Sequence, residues 1–221
     1  MKTQGFLDQL LKTAQQSVGD LTGGKGIGGD FGKGALAGGA LGLLLGNRRV
    51  RKMGGKVAMY GGLAAVGALA YKAYGDWKQQ QGGAGAASAA PQTFDALPPA
   101  EIESHSQAIL KALIAAAKAD GHVDDRERQV IEGEFSRLDA APEVRQWLQA
   151  ELQKPLDPAE VARAASSPEM ASEMYLASLL AVDEQNFMER AYLDELARQL
   201  KLDEGLKARL EQQMKEAGDA V

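Results

Sequence analysis

Four glycines recur at intervals of four residues, Gly34, Gly38, Gly42 and Gly46, within a stretch that carries no charge from Gly34 to Gly46 (GALAGGALGLLLG). On a helix this spacing puts all four near one face. In water, that much glycine weakens a helix by up to about 1 kcal/mol per residue relative to alanine. In a bilayer the backbone has no water to bond to, so helix is enforced, and a stripe of small residues lets two helices approach closely. Leu36, Leu41, Leu43, Leu44 and Leu45 share the stretch and are costly to leave in water. The pattern therefore predicts helix packing in lipid.

A second uncharged run, Val57 to Tyr71 (VAMYGGLAAVGALAY), follows the basic stretch Asn47-Arg48-Arg49-Val50-Arg51-Lys52, and Gly54, Ala58 and Gly62 repeat the four-residue spacing. At a rise of ~1.5 Å per residue the two runs cover about 20 and 22 Å, short of a hydrocarbon layer of about 30 Å. The second is lengthened by reading it from Met53 to Gly75, with Lys56 and Lys72 snorkelling and Tyr71, Tyr74 and Trp77 as interfacial anchors. A membrane region over 33–78 is expected, with the lipid bilayer and self-association through the glycine stripe as its partnerships. Ahead of it, 1–32 holds an amphipathic helix over 2–18 and a glycine-rich connector. The helix suits a membrane surface or its own protein equally. The connector is no phosphate loop, because Gly24-Lys25 is followed by Gly26 and no βαβ unit surrounds it.

Charge divides the chain in the same place. Residues 1–78 carry +7 and residues 79–221 carry −12, together the net −5. The acidic half repels nucleic-acid phosphate, so no nucleic-acid partner is expected. Residues 79–98 (QQQGGAGAASAAPQTFDALP) read as a linker. From Pro99 the apolar spacing is helical almost throughout. A helix over roughly 99–119 is followed by one from Asp124 with Val130, Ile131, Phe135 and Leu138 inward. Others open at Pro142, at Asp157-Pro158 and at Pro168. The last two run over about 186–200, with Phe187 on the buried stripe, and from about 203. The fold expected for 99–221 is an all-α bundle of about seven helices.

The most distinctive motif is Ala117-Lys118-Ala119-Asp120-Gly121-His122-Val123-Asp124-Asp125-Arg126-Glu127, an apolar helix that ends in Asp-Gly before a new helix opens with acids. An echo lies at Ala181-Val182-Asp183-Glu184-Gln185-Asn186-Phe187-Met188-Glu189. Asp120, Asp124 and Glu127 can converge at the first turn and, if the two hairpins pack about a pseudo-twofold axis, Asp120, Glu127, Asp183 and Glu189 lie close together, the hard oxygen ligands a divalent metal ion needs. Acids in a first turn also serve as caps and complement the helix dipole, with no ion involved. The EF-hand register fails, since Asp125 and Ile131 stand where Gly and Glu belong.

The Ala-x-Ala-Asp-Gly-His-Val-Asp-x-x-Glu pattern resembles the tellurite-resistance TerB-like helical domain. With the glycine-rich apolar segment and linker ahead of it, the chain resembles the YebE-like inner-membrane protein family of bacteria. That resemblance implies an all-α bundle, membrane association, an acidic metal site and no established catalytic activity. Glu184 departs from the pattern where Gly is expected.

No catalytic constellation emerges. Cysteine is absent, there are two histidines, and Ser104, Ser136 and Ser178 sit in no nucleophile motif. His105 is assigned no role. The expectation is a membrane-anchored interaction or sensing protein, linked by resemblance to envelope or metal stress, with an unidentified protein partner. Two alternatives stand beside it: a soluble metal-binding domain whose glycine-rich half oligomerises, and an uncharacterised enzyme. The basic residues before the second run favour sending the C-terminal domain across the membrane. The family resemblance favours a cytoplasmic domain at the inner membrane, and that is the placement adopted.

Overall fold

The computed structural model describes residues 63–80, 99–119, 141–182 and 186–219, together with Thr3 and Gly5. The described residues form seven helices and no strand: α1 (Leu63–Gln80), α2 (Pro99–Ala117), α3 (Pro142–Gln153), α4 (Pro158–Ala162), α5 (Pro168–Ala181), α6 (Phe187–Gln199) and α7 (Glu204–Asp219). The helix expected from Asp124 lies outside them.

Proline and a polar cap set most of the starts. Pro142, Pro158 and Pro168 occupy first-turn positions, where the missing N–H costs nothing. The side chains of Asp157, Ser167 and Asn186 accept from the N–H groups of Ala159, Met170 and Met188. Asp203 does the same for Gly205 at 2.8 Å. The end of α6 is a Schellman turn: the Leu202 N–H bonds the Ala197 carbonyl and the Lys201 N–H bonds that of Arg198. Lys201 sits there at φ 57°, a left-handed position that favours glycine. Lys201→Gly is expected to raise stability by about 0.5–1 kcal/mol, read as a higher urea midpoint at unchanged slope.

Helix α5 is the hub. Met170, Ala171, Met174, Tyr175, Leu176, Ala177, Leu179 and Leu180 are all buried, so apolar residues cover every side of it. A helix apolar all round belongs in the interior, and α5 packs against α1, α2, α6 and α7. Its buried serines are satisfied locally: Ser172 donates to the Pro168 carbonyl and Ser178 to that of Met174. The Tyr192 phenol is buried with no well-formed hydrogen bond, and burial raises its pKa despite the opposing influence of nearby Ser178.

The main departure from expectation is α1. This helix is part of the bundle, packed against α5 and α7. Ala70 and Ala73 are 1% and 0% exposed and belong to the same core as α5. Tyr74 and Trp77 pack on that core rather than anchoring a bilayer interface. The Met53–Gly75 crossing is therefore not supported: Ala70 and Ala73 of its second half are buried against protein, and 53–62 lie outside the described residues. Among the described residues no helix is long and apolar enough to cross a membrane. The bundle includes a helix upstream of the 79–98 linker, which thus joins two elements of one core. Gly34, Gly38, Gly42, Gly46, Gly54, Ala58 and Gly62 lie outside the described residues.

Phe187 is a second departure. It is 81% exposed, not on the buried stripe, which begins at Tyr192.

Candidate functional site

Two clusters of polar side chains organise the bundle. The first fastens α1. The Trp77 indole N–H donates to Asp203 Oδ1 at 3.0 Å, the same oxygen that caps α7. Asp76 pairs with Arg209 at 3.5 Å. A Cβ added at Gly205 would lie 3.1 Å from Asp203 Oδ1 and 3.5 Å from Trp77 Nε1, so only a residue without a side chain leaves this contact undisturbed. Tyr74 stacks obliquely on Trp77, centroids 5.7 Å apart, with Lys78 over its outer side. Burial, and secondarily the charge of Glu169, raises the Tyr74 pKa. Beneath α1, His105 Nε2 of α2 meets Glu173 Oε2 of α5, each side chain 15% exposed. His105, without a role in the sequence, therefore ties α2 to α5.

The second cluster lies where α2, α3 and α4 meet. Lys111 and Lys154 both donate to Glu160 Oε1, at 2.8 and 3.1 Å, and Lys154 also donates to Glu151 Oε1 at 2.5 Å. These two lysines hold Glu160 down at about 2. Lys118 reaches from the end of α2 to the backbone carbonyls of Glu151 and Lys154, closing the last turn of α3. Burial lowers its pKa, opposed by Glu151 and Glu160. The notch these residues line encloses only about 20 Å³, far below the range usual for small-molecule sites, and its charges already satisfy one another. The cluster works as a staple. A carboxylate with a lowered folded pKa adds stability above its unfolded value and loses it as pH falls. The advantage of wild type over Glu160→Gln should therefore shrink between about pH 4.5 and 2 in urea titrations.

Of the acids expected to bind metal, Asp120, Asp124, Glu127 and Asp183 lie outside the described residues. Glu189 stands in the first turn of α6, where Asn186 provides the cap. Among the described residues no group of three or more His, Asp or Glu side chains could hold a metal ion. At the other terminus, the Thr3 N–H and hydroxyl both donate to Glu103 Oε1, at 2.7 and 2.6 Å, and Thr3 is buried. This contact places Thr3 against α2.

Sequence reasoning missed both clusters. Only Lys111 and Lys118, seven apart and so on one face of α2, left a local signal. Their partners lie 33 to 49 residues away.

The described structure thus defines an all-helical domain built on a wrapped central helix, with an upstream helix pinned into it by a tryptophan. Residues 30–214 match the family described as "Protein of unknown function (DUF533)", and the chain belongs to that family, which is related to TerB-like proteins. It is also similar to an "Uncharacterized protein in ampR 5'region" of Yersinia enterocolitica, 32% identical over 122 residues, which cover 55% of this chain and 88% of that one. No solved structure matches it significantly.

Proposed function

We propose that the chain is a membrane-anchored interaction or sensing protein without catalytic activity, held at the bilayer by residues 33–62 and presenting its acidic bundle close to the lipid. The observation that carries this reading is that an apolar run continues into a helix of the bundle core. The apolar, glycine-striped sequence runs directly into α1, and α1 is fixed in the core by Ala70, Ala73 and Trp77. The apolar run Val57–Tyr71 is thus continuous in sequence with a helix of the bundle. The family match supports treating them as one unit, since it starts at residue 30 and runs through both. Arg48, Arg49, Arg51, Lys52 and Lys56 add attraction to anionic lipid, worth about 1 kcal/mol per basic residue near the surface.

Flotation of the full chain with phospholipid vesicles in high salt tests the reading. Co-flotation that needs detergent to reverse, and that is lost on deleting 33–62, is the expected result. A full chain that stays monodisperse in plain buffer and leaves the vesicles at the bottom of the gradient overturns it, and favours the soluble alternative.

A further inference from the structure

We infer that the exposed Phe187–Met188 corner is a lipid contact, resting on the same bilayer that holds residues 33–62. This inference depends on the membrane reading above and adds the face the bundle turns towards lipid. Among the described residues the large exposed apolar side chains are Leu156, Phe187 and Met188, and two of these three are consecutive, at 81% and 52% exposure. Their place in the fold selects the occupant. Gly67 of α1 lies against Glu173 of α5, while Tyr74, further along α1, feels the charge of Glu169, earlier in α5. The two helices therefore run antiparallel, and Leu63, where the apolar chain enters, lies at the C-terminal end of α5. Only residues 182–186 separate that end from the start of α6, and the two helices are in contact. Phe187 and Met188 thus project from the end of the bundle through which the lipid-seeking sequence arrives. Asp183, Glu184 and Glu189 flank the corner against Arg190, a local net charge of −2, so the contact is apolar and suits a zwitterionic headgroup layer, where an aromatic ring with a flexible thioether fits the headgroup–acyl boundary.

The absence of cysteine makes the test direct. Met188→Cys carries an environment-sensitive fluorophore in the full chain on phosphatidylcholine vesicles. Arg198→Cys, exposed in the last turn of α6 and about 15 Å further along it, is the reference. Nitroxide-labelled lipid should strongly quench the probe at 188 and leave that at 198 bright, with no loss of quenching in high salt. Equal, weak quenching at both positions while the chain still floats overturns the lipid contact and leaves the anchor standing. So does a shielded probe at 188 that lipid nitroxides do not reach. If that shielding grows with protein density and Met188→Cys chains cross-link, a second copy is the occupant. If it is independent of density, another segment of the same chain is. Failure to float at all overturns both readings.

Discussion

Trp77→Ala is expected to cost about 2 kcal/mol, less than a fully buried tryptophan because the ring is only partly covered. It should also expose the 79–98 segment to protease well below the unfolding midpoint. The substitution removes the ring from the groove beside α7 and leaves Asp203 without its indole donor. Asp203→Ala removes both the Trp77 contact and the α7 cap, so a double-mutant cycle with Trp77→Phe separates them. Coupling near zero in urea denaturation, with no change in protease sensitivity, would contradict the pinning of α1.

Tyr175→Ala is expected to have the larger effect, about 3–5 kcal/mol, because its ring is fully buried at the centre of α5. Its hydroxyl donates to Glu211 of α7 at 2.8 Å, so Tyr175→Phe should cost only about 1 kcal/mol. Thermal and urea unfolding of the pair divide the ring from the hydroxyl. A phenylalanine variant as unstable as the alanine one would mean that the α5–α7 seam is held by polarity rather than packing.

Much of the bundle was legible from proline and polar caps, because a helix start is a local event. Pro142, Asp157-Pro158 and Pro168 each announce a turn within three residues, and the observed helices begin there. The fate of Leu63–Gln80 was not legible. Alanine and glycine let a helix nestle against another in lipid, and the same side chains let Ala70 and Ala73 enter the groove of a protein core. Sequence spacing cannot tell those two surroundings apart. Phe187 was misplaced for a related reason: it keeps the helical period but stands in the first turn of α6, before the buried stripe that starts at Tyr192. The His105–Glu173 pair, 68 residues apart, is created by the α2–α5 crossing and leaves no trace in spacing. The expected acidic centre rests on motif alone.

Asp203 serves two helices at once, and that has a mechanical consequence. Trp77 and Asp203 are 126 residues apart in sequence, yet this bond and the neighbouring Asp76–Arg209 pair couple α1 directly to the first turns of α7. A displacement of α1 is thereby felt at α7 without travelling through the intervening loops.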